Sequence, residues 1–153
     1  MMDLWLVRHG EAVPSRVDPA RPLSPEGARS VAAAAGFLRD RMGPFDLMAA
    51  SGKTRARQTA AIFAESAGYP AERIAETDAL APEAPPEGFL SFLEESVGKE
   101  RILCVGHLPS IAAIASLLLC PGGSVGLVFG AGTVCRIRLP SVHPGEGELL
   151  LFF

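Results

Sequence analysis

The chain has 153 residues, of which 48% are apolar and 20% charged, with a net charge of −3. That length suits one domain able to bury ~70% of its unfolded surface, and a mildly acidic total disfavours a general nucleic-acid binder, whose affinity rests on neutralised phosphates. The 16 Gly and 13 Pro stay short of the ~25–30% combined share that marks disordered chains.

Charge is unevenly spread. Residues 1–57 carry nine Lys/Arg against six Asp/Glu, while residues 58–153 carry five against eleven. A local arginine excess inside an acidic chain fits a small anionic site. Three scattered cysteines (Cys104, Cys120 and Cys135) suit neither a disulfide scaffold nor a CxxC zinc site. The strongest apolar run, Ile111 to Cys120, is half of what a bilayer span requires. The N-terminus lacks the basic start and long apolar core of a signal peptide. The expectation is a cytoplasmic protein without a membrane segment, folded as a single domain over 1–153.

In chain order, Leu4–Val7 reads as a buried strand that empties into Arg8-His9-Gly10. Residues 11–23, with Pro14, Pro19 and Pro22, form a long loop of the kind that is often functional. Ser24-Pro25-Glu26 supplies an N-cap, a proline in the first turn and an acid, opening a helix expected to run to Met42 before Gly43-Pro44. A strand is expected over Asp46–Ala50, then Ser51 and a helix to about Ala67. A weak strand near Arg73–Glu76 leads to a loop at Pro82–Pro86 and a helix near Glu87–Val97. Arg101–Gly106 is a buried strand, and Leu108–Leu119 an apolar helix. The tail offers strands near Val125–Phe129, Thr133–Leu139 and Glu148–Phe152. Alternating strands and helices predict a three-layer α/β/α sandwich around a mixed, mostly parallel central sheet.

Ligands of open α/β sheets bind at the carboxyl ends of the strands. Three such ends here carry reactive residues: Arg8-His9-Gly10, Ser51 to Arg55, and Gly106-His107. A lone histidine is usually a surface or satisfied core residue, but His9 lies between an arginine and a permissive glycine. Neutral imidazole is a competent nucleophile toward phosphorus, and neighbouring arginines disfavour its protonation. Arg8 and Arg55 offer planar forks that match phosphate oxygens. Arg55 also opens a helix whose N-terminal amides favour an anion, whereas Arg57 fits a solvated face. His107, between a strand and a helix, can donate to a phosphoryl oxygen.

Two other patterns lead nowhere. Gly52-Lys53-Thr54 ends like a P-loop, but Leu47 stands where that motif requires glycine. The three histidines His9, His107 and His143 show no zinc spacing, and His143 reads as an exposed loop residue.

The ordered motifs resemble a known family. Leu6-Val7-Arg8-His9-Gly10-Glu11-Ala12 is similar to the RHG signature of the histidine phosphatase (phosphoglycerate mutase-like) superfamily. Ser51 to Thr59 resembles its SxxxRAxQT segment, and Val105-Gly106-His107 its second histidine motif. Asp18 with Arg21-Pro22-Leu23-Ser24 and Gly27, Leu80-Ala81-Pro82, and His107-Leu108-Pro109 resemble stretches of the small bacterial phosphohistidine phosphatases. Gly52 departs from the pattern, where proline is frequent.

The resemblance implies a metal-independent phosphatase without cofactor. His9 would accept the phosphoryl group, Arg8 and Arg55 would clamp it, and His107 would complete the pocket. Arg21 is a further candidate for the phosphate or its carrier. Ser51 is expected to shape the turn rather than perform chemistry. About fifty residues separate Arg55 from His107, too few for a large cap insertion. Glu83 is the best-placed general acid for an ester, with Glu87 next. A phosphoramidate needs less help from an acid, so the preferred substrate is protein phosphohistidine, as on a phosphotransfer domain. The alternatives are a phosphatase for small phosphomonoesters using Glu83, and a catalytically silent phosphate-binding regulator. A mutase is disfavoured, since it must keep its intermediate from water.

Overall fold

The computed structural model describes residues 1–122 and 125–153. Six strands form one sheet: β1 (Met2–Arg8), β2 (Leu47–Ala50), β3 (Ala75–Glu76), β4 (Arg101–Gly106), β5 (Val134–Leu139) and β6 (Glu148–Phe152), in the order β3-β2-β4-β1-β5-β6. The first four of that order pair in parallel, while β5 runs antiparallel to β1 and β6 antiparallel to β5. Helices α1 (Pro25–Leu38), α2 (Thr54–Ala67), α3 (Pro86–Glu95) and α4 (Ser110–Leu119) complete the described chain. The expected three-layer, mostly parallel sandwich is the observed one.

Strand alternation divides the core in two. Trp5, Val7, Leu103 and Val105 pack with Val31, Leu38, Ala60 and Phe63 of α1 and α2. Leu4, Leu6, Ile102 and Cys104 pack with Phe89, Leu93, Ile111 and Leu118 of α3 and α4. Residues between α2 and β4 therefore contribute α3 to a layer of the sandwich. Among the described residues no helix is long and apolar enough to cross a membrane.

The element boundaries differ from expectation for local reasons. The Ser24 hydroxyl accepts the Gly27 N–H at 2.9 Å, as an N-cap should. The α-helix stops at Leu38 and tightens into a 3-10 turn at Arg39–Arg41, with Met42 extended and buried. Asp46 does not enter β2; its Oδ2 accepts the N–H groups of Glu100 and Arg101, both at 2.9 Å, and fastens the start of β4. The weak strand shrinks to two residues, and α3 ends at Glu95 rather than Val97. Helix α4 begins at Ser110, because the His107 carbonyl takes its first bond from the Ile111 N–H at 2.8 Å.

The expected strand at Val125–Phe129 is absent: these residues are irregular. Both edges of β5 are occupied, by β1 and β6, so the segment has no neighbouring ladder to join there. Its Phe129 is nevertheless buried, and the Phe129 carbonyl accepts a bond from Arg8 Nη1 at 3.0 Å.

Candidate active site

Register gathers the motifs. Arg8 is level with Gly106 across β1 and β4, and Ala50 with Val105 across β2 and β4. Continuing one residue, the His9 N–H donates to the Gly106 carbonyl at 3.0 Å and the Ser51 N–H to the Val105 carbonyl at 3.3 Å. His9, His107 and Ser51 thus leave three adjacent parallel strands at the same end of the sheet, and the two imidazole centroids lie 4.9 Å apart.

His9 is buried, and its Nδ1 lies 2.7 Å from the Gly10 carbonyl oxygen. A carbonyl only accepts, so Nδ1 carries the proton and Nε2 keeps its lone pair. The Gly10 N–H in turn donates to Thr59 Oγ1 on α2 at 3.1 Å, and that hydroxyl donates to the Arg55 carbonyl at 2.8 Å. Burial lowers the His9 pKa to about 4; the Gly10 bond opposes the shift, and the charges of Arg55, Arg8 and Arg21 add to it. His107 falls to about 3, first through burial and then through His9, Arg55, Lys53 and Arg8. Both rings are neutral at pH 7.

The arginines come from separate elements. Arg8 ends β1 and is braced by Phe129. Arg55 stands in the first turn of α2, and its own pKa is lowered by burial and by Arg21. Arg8 Nε, Arg55 Nε and His107 Nδ1 are buried without hydrogen-bond partners among the described residues. Three nitrogens of this kind in one place suit an anion, since an unpartnered buried polar group is costly.

Arg21 joins them through the long loop. Its backbone takes a left-handed φ of 47°, and its Nε donates to the Val13 carbonyl at 3.1 Å. The loop closes at its base where Ala12 bridges Leu23, and the Leu23 N–H donates to Gln58 Oε1 on α2 at 2.7 Å. Gly27 permits this closure, because a Cβ there would stand 2.1 Å from the Glu11 carbonyl oxygen.

Of the other candidates, none hydrogen-bonds to His9 or His107 among the described residues. Glu83 and Glu87 are exposed, and no hydrogen bond ties either side chain to the histidines among the described residues. Arg57 is exposed on α2. His143 is exposed in a loop, its Nδ1 2.8 Å from Ser141 Oγ. Cys104 and Cys135 are buried with thiol pKa values pushed up, the latter to about 12. Among the described residues no group of three or more His, Cys, Asp or Glu could hold a metal ion.

The structure adds two features that sequence reasoning missed. Ser51 Oγ is 2.6 Å from His107 Nε2, a contact that needs the β2–β4 register to be seen. The Glu76 carboxylate fills the space beside Gly52, 2.5 Å from where a Cβ would stand, so the departure from proline accompanies a neighbour at the end of β3.

A model of the histidine phosphatase superfamily, branch 1, matches residues 4–81, and the chain belongs to that superfamily. Solved structures share the whole fold. The protein histidine phosphatase SixA, solved with tungstate, superposes at a TM-score of 0.86 with 22% identity, covering 99% of this chain and 96% of that one. A proposed phosphohistidine phosphatase SixA from Nakamurella multipartitia gives 0.82 and 27%, with 99% and 95% covered. The alpha-ribazole phosphatase of Shigella flexneri gives 0.75 and 20%, with 98% and 95% covered. No curated protein matches the chain significantly in sequence.

Proposed function

We propose that this chain is a metal-independent phosphatase that passes the phosphoryl group through His9, and that its substrate is a phosphohistidine displayed on another protein, such as a phosphotransfer domain. The reading rests on one observation above all: the charged side chains that act on the two neutral imidazoles are cations, namely Arg55, Arg8, Arg21 and Lys53.

The chemistry follows from that setting. His9 Nε2 attacks phosphorus in line with the departing group, while Arg8, Arg55 and His107 hold the peripheral oxygens and neutralise their charge. The phosphorus–nitrogen bond of the substrate breaks, and the released imidazole takes its proton from solvent. Water then attacks phospho-His9, a new phosphorus–oxygen bond replaces the bond to Nε2, and phosphate leaves. An ester would release an alkoxide, which calls for a positioned acid. Glu83 is exposed and the segment between Arg55 and His107 is short, so a cationic site without a large cap favours the more easily protonated leaving group. The SixA-like neighbours support the same substrate class.

The test is paired turnover of a phosphohistidine-bearing protein and p-nitrophenyl phosphate, in chelator, by wild type, His9→Ala and Glu83→Gln. Rapid loss of phosphohistidine that needs His9 and ignores Glu83, with feeble ester hydrolysis, is expected. Efficient ester hydrolysis that needs Glu83 would move the assignment to small phosphomonoesters. Stoichiometric phosphate binding without turnover of either would make the chain a silent binding protein.

A further inference from the structure

Ser51 does more than shape a turn. It is 1% exposed and its hydroxyl lies 2.6 Å from Nε2 of His107, which is also 1% exposed. The same oxygen accepts the Lys53 N–H at 3.3 Å. His107 Nδ1 is buried and has no partner among the described residues.

Proton counting separates the two arrangements of this pair. The neutral ring carries one N–H and the hydroxyl one O–H. If Nε2–H donated to Ser51, the hydroxyl proton would need another acceptor, and none contacts it among the described residues. Nδ1 would also be left as a buried bare lone pair with no donor among the described residues. If Ser51 donates to Nε2, the hydroxyl is satisfied, its oxygen still accepts from Lys53, and the ring proton sits on Nδ1. Only that donor is left over, and an anion satisfies it.

We infer that Ser51 is a positioning residue that holds His107 as the Nδ1–H tautomer, so that the ring presents a donor to the phosphoryl group. The partner of one ring nitrogen commonly fixes the proton on the other. The inference rests on the reading of His107 as a phosphoryl donor, but the tautomer can be read without substrate.

The experiment is long-range proton–nitrogen NMR of the ring nitrogens at pH 7, on 15N-labelled wild type, Ser51→Ala and Ser51→Thr. Wild-type His107 is expected to show a protonated Nδ1 and a bare Nε2. Ser51→Ala should move the proton wholly or partly to Nε2, and Ser51→Thr, which keeps a hydroxyl, should restore the wild-type pattern. In parallel, kcat should fall about 10- to 100-fold in Ser51→Ala with KM changed little, the scale of one weakened oxyanion donor, and recover in Ser51→Thr. A wild-type ring protonated at Nε2 overturns the inference whether or not the variants fold. So does an unchanged tautomer in a folded Ser51→Ala protein. If the spectra behave as expected but inorganic phosphate leaves the His107 signals unmoved and no substrate turns over, the assignment of Ser51 stands and the proposed function falls.

Discussion

Acidification to pH 5 should destabilise the fold through its two site histidines. In the unfolded chain each imidazole titrates near 6.5; in the fold His9 sits at about 4 and His107 at about 3. Between those values the unfolded state binds more protons, so stability rises with pH through this window and is lost as pH falls below about 6.5. At pH 5 the folded rings are still mostly neutral, so the loss is set by the unfolded value. It comes to about 2 kcal/mol per ring and about 4 kcal/mol for both as an upper bound, which solvent screening lowers only as far as it raises the folded pKa values. A folded-state pKa one unit higher at each ring changes that figure little. Asp46, whose carboxyl is held below its ordinary value by the Arg101 and Glu100 N–H groups, keeps its contribution at pH 5 and loses it only at lower pH. Urea unfolding at pH 8 and pH 5, in buffers without phosphate or sulfate, measures the difference. Each single variant, His9→Ala or His107→Ala, should lose about half of it, and the double variant nearly all. A wild-type difference below about 0.5 kcal/mol, or a full difference in the double variant, refutes the reasoning.

Two further substitutions address the support of the site. Arg55→Ala should lower kcat/KM by about 100- to 1,000-fold, the scale of one oxyanion-type interaction, while exposed Arg57→Ala should change it only a few-fold; equal losses in steady-state rates would displace Arg55 from the phosphate. Thr59→Val should cost about 1–3 kcal/mol in urea unfolding, because it leaves the buried Gly10 N–H without its acceptor. The same variant should lower kcat, since Gly10 orients the His9 ring, and unchanged stability would show that water or another group replaces the hydroxyl.

Much of the sheet was legible because parallel strands buried on both faces read as short apolar runs, as Leu4–Val7 and Ile102–Val105 do. Strand ends were legible too, since Arg8-His9-Gly10 and Gly106-His107 break those runs abruptly. What local pattern misjudged was pairing. Val125–Phe129 has strand composition but no open ladder beside β5, and its Phe129 serves instead as a buried apolar plug with a carbonyl for Arg8. Helix ends failed for a related reason: Met42 is apolar at helical spacing, yet it reaches the core as extended chain after a 3-10 turn. In the site, residue types and order pointed to His9, Arg8, Arg55 and His107, whose roles belong to the proposed reaction, but the Ser51–His107 contact depends on strand register, which no single segment encodes.

In the proposed reaction one electrostatic arrangement would do two jobs. A nucleophilic imidazole must be unprotonated, and a phosphoryl group must be held by positive charge. Burial alone would keep His9 neutral but would not attract an anion, and exposed arginines would attract an anion but leave the ring free to protonate. Arg8, Arg21 and Arg55 come from β1, the long loop and α2, and their charges reach one buried ring from three elements. In the proposed reaction the cations that depress His9 would therefore also meet the group it attacks. Arg55 carries the cost, its own pKa lowered by burial and by Arg21, and a bound phosphoryl dianion would reverse that cost by pairing with both guanidinium groups. The same reversal would raise the His9 pKa once phosphate is bound, so the ring is most strongly held neutral in the free site, before attack.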